Sequence, residues 1–192
     1  MSYNKDKMAR NEEKTYANVH NALETLIMEK GYENISVSEI ISRSGVARST
    51  FYAHYKCKDD VLIGLCDHIF EHVFSSNLSK EKGHDFSSVP AFDYRHIVVH
   101  TFYHFKEDEE LIGAIFSSSA SHIFVEALKK KAYPLIEAIY LSSSFMEGAP
   151  KEVAVNVLLN SFISLLSAFT TSERKESAEN MADYFFKLAY GK

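Results

Sequence analysis

An all-α fold, a small N-terminal three-helix head joined to a larger helical body, is what this sequence of 192 residues predicts. Two observations carry the expectation. Apolar residues recur at intervals of three and four through one long segment after another, as they do where one stripe of a helix is buried. Those segments stop where helices stop, at Gly31, Gly45, Gly83, Pro90 and Pro150.

The first helix is expected from Lys14 to Lys30, where Tyr16, Val19, Ala22, Leu23, Leu26 and Ile27 share a face and Gly31 ends the run. Residues 1 to 12 are polar and are expected to form a mobile tail. Ser36 opens the second helix with Glu39 three residues on, a capping box in which each residue satisfies a backbone N–H of the other. Val37, Ile40 and Ile41 fall on one side, and Gly45 supplies the left-handed residue on which the helix reverses. A third helix over Ala47 to Tyr55 turns Val46, Phe51 and Tyr55 inward. That leaves Arg48, Ser49, Tyr52 and His54 outward and Thr50 at the edge. This is a helix-turn-helix whose outer face carries the donors and acceptors that tell base edges apart in a major groove. Between Glu39 and Asp59 stand Arg43, Arg48, Lys56 and Lys58 and no acid, a patch of the kind phosphate binding needs.

GVARSTFYAHYKCKDDVL resembles the signature of the tetracycline-repressor (TetR) family of bacterial transcription regulators, in which a Gly-Val turn leads into a recognition helix ending in Tyr-x-His-aromatic with a lysine two residues later. The similarity covers roughly Tyr16 to Leu65, about a quarter of the chain. Two positions depart from it. Ala47 replaces a common Ser and forgoes a side-chain cap worth about 1 kcal/mol, and Cys57 stands where a capping Ser or Asn is common.

Arg48, Ser49 and Thr50 are therefore expected at base edges, Tyr52, His54, Lys58 and Ser36 at phosphates, and Ser38 as a further groove contact. The resemblance implies a homodimeric regulator on double-stranded operator DNA, responding to a small-molecule effector of unknown identity. The competing expectation is a helical adaptor or activator whose head docks on another protein.

The net charge of -5 does not oppose DNA binding, because of where it lies. Residues 1–60 hold nine Lys plus Arg against nine Asp plus Glu, and the remainder twelve against seventeen. An acidic body behind a locally basic head fits a DNA reader. Two cysteines, Cys57 and Cys66, make neither a disulfide framework nor a zinc spacing. A reducing cytoplasm is expected, and neither a signal peptide nor a membrane span is.

The expected head is residues 1–58 and the body 59–192. A connecting helix starts at Asp59 or Asp60 and carries Val61, Leu62, Leu65, Cys66, Ile69, Phe70, Val73 and Phe74 toward Ser79. Residues 80–90 read as a polar linker. Further helices are expected over Ala91–Lys106, Leu111–Phe116, His122–Tyr140 with a kink or break at Pro134, Pro150–Thr170 and Arg174–Tyr190.

Thirteen of fourteen Phe residues follow Lys58. Phe92, Phe102, Tyr103, Phe105, Phe116, Phe124, Tyr133 and Phe162 are candidates to line an effector pocket, although core packing explains each of them singly. The last two helices are apolar on two sides. The resemblance implies a four-helix dimer interface there, with Val153, Val157, Ser161, Ser164, Ala168, Ala178, Met181 and Phe185 as candidates. His96, His100 and His104 recur at four, as do His68 and His72, a weak pattern for metal from which no metal site is expected. No cofactor is expected, and with neither a Ser-His-acid constellation nor a glycine-rich phosphate loop, no enzyme.

Overall fold

The structure, a computed structural model, describes residues 2–74, 80–81, 84–85, 93–172 and 176–191. Helix α1 spans Ser2–Lys30 and ends at Gly31, which takes φ +76°. The sequence led us to expect this helix only from Lys14, with a tail before it. Residues 4–14 lack an apolar stripe, but they are rich in Lys, Met, Ala, Arg and Glu and contain neither Gly nor Pro. Propensity carries the helix there, and periodicity marks only the part with an apolar stripe.

A 3-10 turn, Tyr32–Asn34, leads to α2, Val37–Ser44. The capping box is present in full: the Glu39 amide donates to Ser36 Oγ at 3.4 Å and the Ser36 amide to Glu39 Oε2 at 2.9 Å. Gly45 closes α2 at φ +66°. Helix α3 covers Arg48–His54 from an Ala47 that gives no side-chain cap. Helix α4 covers Lys58–Val73. With Cys57 at its cap, the Asp60 carboxylate receives the Lys56 and Cys57 amides at 2.7 and 3.3 Å instead. Asp60 at N3 thus supplies the carboxylate half of a capping box, and Cys57 offers no hydroxyl for the other half.

Strands β1, Lys80–Glu81, and β2, His84–Asp85, pair antiparallel within the expected linker, most of which lies outside the described residues. Then follow α5, Tyr94–Glu107, α6, Glu109–Phe116, α7, Ser121–Leu141, α8, Lys151–Thr171, and α9, Ala178–Tyr190. Helix α7 runs through Pro134 without a break, where a kink or break was expected. Pro134 and Lys130 both face solvent, so water can take the carbonyl that the missing N–H leaves free.

Two packed regions share one core. Val19, Leu23, Leu26 and Ile27 of α1 close over Ile40, Phe51 and Tyr55, and α1 continues against α4 and α6. In the body α5 packs on α9, α7 on α8, and α4 on α7. Helix α8 is by length and composition apolar enough to cross a membrane, which was not expected of any segment. Helices α5, α6, α7 and α9 pack against it, and Val153 and Val157 stay exposed.

Candidate nucleic-acid interface

The two short helices owe their arrangement to residues that vanish from the surface. Ile40 and Phe51 are fully buried and Tyr55 nearly so, which fixes α3 by its inner side. Its outer side then holds Arg48, Ser49 and Tyr52 exposed, with Thr50 and His54 half-buried. The Arg48 guanidinium lies 5.4 Å from the centre of the Tyr52 ring and has no ion-pair partner among the described residues. His54 Nδ1 is 3.2 Å from Tyr16 Oη. Ser36 and Ser38 are exposed at the start of α2.

Charge in space differs from charge along the sequence. Arg43 was one of four basic residues without a neighbouring acid, yet both its terminal nitrogens donate to the Glu29 carboxylate on α1, at 2.8 and 2.7 Å. Lys58 donates to the Tyr32 carbonyl at 2.8 Å and lies 4.4 Å from the centre of that ring. The Tyr32 hydroxyl in turn donates to Asp59, and burial pushes its pKa well up. Lys30, 2.5 Å from Glu39, and then the Ser36 cap hold the Glu39 carboxyl down at about 2. Arg48 and Lys56 remain as exposed cations on this face.

Head and body meet where α1 packs on α4 and α6. The Ser119 amide, in the bend between α6 and α7, donates to Glu33 Oε1 at 2.5 Å. His20 of α1 is buried and lies 3.0 Å from the Tyr55 hydroxyl. Burial first, and His68 second, lower the His20 pKa to about 4. An imidazole that folds neutral binds its proton more readily in the unfolded chain, so stability rises with pH between the two pKa values. The fold should therefore lose stability as pH falls from about 6.5 toward 4. His20→Gln, which keeps a polar partner for Tyr55 without titrating, is expected to flatten the pH dependence of urea unfolding across that window. Equal slopes in the two proteins would remove His20 from the account.

The effector-pocket candidates fall into two sets. Phe102, Phe105, Phe124 and Phe162 are fully buried and packed ring on ring. Phe102 and Phe162 have centroids 5.8 Å apart, Phe116 and Phe124 5.0 Å, and Phe162 and Phe185 5.0 Å. Tyr103, Phe116 and Tyr133 are half-buried. Phe92 lies outside the described residues.

The dimer candidates divide as well. Val153 and Val157 are 48% and 41% exposed, Ser164 and Ala168 are exposed, and Ser161 is half-buried. Ala178, Met181 and Phe185 are instead buried inside their own chain, which takes them off the surface a second copy could touch. The exposed apolar residues of α9 are Tyr184 and Leu188, which the sequence reading did not select. Spacing puts 184 and 188 on one face and 178, 181 and 185 on another, but both faces are apolar. With Val157, Ser161, Ser164 and Leu165 they border a groove of about 560 Å3.

The histidines of α5 have local partners: His96 Nδ1 lies 2.7 Å from Asp93, and His100 and His104 have ring nitrogens 3.0 Å apart. Among the described residues no group of three or more His, Cys, Asp or Glu is arranged to hold a metal ion.

Two short helices joined at Gly45, the second held by buried Phe51 and Tyr55 and carrying exposed Arg48, form a helix-turn-helix. Residues 21–65 match the bacterial regulatory proteins of the tetR family, and residues 93–191, about half of the chain, match a transcriptional regulator C-terminal region. The chain belongs to the TetR family of DNA-binding transcription regulators. It is 36% identical over 59 residues to the transposon Tn10 TetC protein of Escherichia coli, a match covering 31% of this chain and 30% of that protein. The chain thus spans less than a third of that relative's length. A TetR transcriptional regulator from Streptococcus agalactiae 2603V is 25% identical with a TM-score of 0.69, over 99% of each chain. A TetR-family regulator from Syntrophomonas wolfei shares the fold at 21% identity and a TM-score of 0.63, over 93% of this chain and 96% of that one.

Proposed function

We propose that this chain is a homodimeric, cytoplasmic repressor that leaves a palindromic operator when a small-molecule effector binds its body. In this reading residues 1–58 form the DNA-binding head and 59–192 the effector-binding and dimerising body. The observation that carries it is the outer face of α3, where Arg48, Ser49 and Tyr52 are exposed above a fully buried Phe51.

Arg48 donates two hydrogen bonds to guanine O6 and N7, the pairing its planar fork suits, with Ser49 and Thr50 at neighbouring bases. Tyr52, His54, Ser36 and Lys58 hold phosphates and set the register, and Ser38 reaches the groove edge. Lys58 has three N–H donors, so it can keep its bond to the Tyr32 carbonyl and still reach a phosphate. Two heads related by a dyad read half-sites roughly 34 to 36 Å apart.

The pairing surface is the exposed side of α8 and α9: Val153, Val157, Ser161, Ser164 and Ala168 with Tyr184 and Leu188. Two such pairs from two chains make a four-helix packing with twofold symmetry. An effector that enters among the aromatic residues of the body has to part packed rings. It therefore favours a conformation different from the one with well-spaced heads, and weakens operator binding by that difference in affinity.

Fluorescence anisotropy on DNA from upstream of the protein's own gene, with scrambled competitor at two salt concentrations, tests the reading. Binding that survives the competitor and saturates at an even number of chains is the expected result. Loss on both DNAs alike as salt rises would refute sequence reading. In the same assay Arg48→Ala is expected to cost about 1 to 3 kcal/mol and to relax discrimination at one base pair per half-site. Lys58→Ala should weaken all sequences alike and reduce the salt slope by about 1. If Arg48→Ala lowered specific and random binding equally, its base contact would be wrong.

A further inference from the structure

We propose that the crevice between α1 and α4 binds a small organic cation, an ammonium ion with an apolar body, at a site separate from the aromatic core of the body. The crevice encloses about 460 Å3, a size typical of small-molecule sites. Among the described residues four rings line it, those of Tyr16, His20, Tyr55 and His68, together with four carboxylates and no Lys or Arg. Aromatic faces with carboxylates are what an organic cation needs when it leaves water.

The carboxylates are not equivalent. Asp67 already has Lys131 at 3.5 Å. Glu24 alone among the four is half-buried, and it has no ion-pair partner among the described residues. Burial and then Asp108 raise its pKa, a cost that a cation in the crevice would reverse. Glycine at position 64 keeps the floor open: a Cβ there would lie 3.1 Å from His20 Nε2 and 3.5 Å from the Tyr55 ring.

The site adjoins the reading head directly. Tyr16 meets His54 and Tyr55 closes the C-terminal end of α3, while α4 is the connector to the body. A cation held here is linked to the placement of α3, and by reciprocity the operator must alter its affinity.

Isothermal titration of the full-length protein with benzyltriethylammonium chloride tests the site, and the ring resonances and the two substitutions assign the heat to this crevice and not to the body. One saturable site per chain is expected, with shifts in the His20 and His68 ring proton resonances and no comparable heat from benzoate. Glu24→Gln should weaken binding about tenfold, the scale of one charge contact. Ala17→Lys, which adds a cation at an exposed position of the same wall, should weaken it at least as much without lowering the melting temperature. Absence of saturation, benzoate binding as well as the cation, or equal affinity in wild type and both variants would overturn the proposal.

Discussion

Val157→Glu is expected to leave the protein as single chains and to abolish tight operator binding. Val157 is 41% exposed on the lone chain and borders the groove with Ser161, Ser164, Tyr184 and Leu188. A twofold interface uses the same patch on both copies, so a single substitution introduces two carboxylates into one desolvated surface. An unpaired buried charge costs several kcal/mol, more than such an interface can absorb. Two heads that bound as one unit would then have to find their half-sites separately. Sedimentation equilibrium should give the mass of one chain, and anisotropy should show only weak, salt-sensitive binding. Thermal unfolding of the separated chain should remain cooperative, because the substituted side chain faces solvent there. A dimer that persists with unchanged operator affinity would move the pairing surface elsewhere.

Phe162→Ala is expected to cost about 3 to 5 kcal/mol of folding stability. Phe162 is fully buried on α8, with the Phe102 and Phe185 rings at centroid distances of 5.8 and 5.0 Å. Its removal leaves a hole among three helices whose backbones cannot close on it, and that cavity adds to the lost transfer energy. Urea unfolding at constant pH measures the loss. The same number tells whether Phe162 is core or pocket wall. A ring that borders ligand space would be lost at less than about 1 kcal/mol, since few packed neighbours would be stranded.

The helix-turn-helix was legible because its determinants are local. Ser36 and Glu39 are three residues apart, Gly45 needs only its own φ of +66°, and Phe51 and Tyr55 share a face by spacing. The start of α1 was less legible, for periodicity reports an apolar stripe and residues 4–14 carry none. For the aromatic set, spacing does not distinguish a ring that fills a core from one that lines a cavity.

By itself the sequence determined the all-helical class, the caps and glycine turns, and which residues of α3 point outward. Each of these depends on groups within a turn or two of one another. Only the tertiary structure decided that Arg43 is neutralised by Glu29, 14 residues earlier, and that Lys58 rests on the carbonyl of Tyr32, 26 residues earlier. It decided, too, which apolar face of α9 lies inside its own chain: Ala178, Met181 and Phe185 inward, Tyr184 and Leu188 outward. A helix apolar on two sides satisfies the same periodicity either way round. What breaks the tie is packing against α5 and α8, elements far away in the chain.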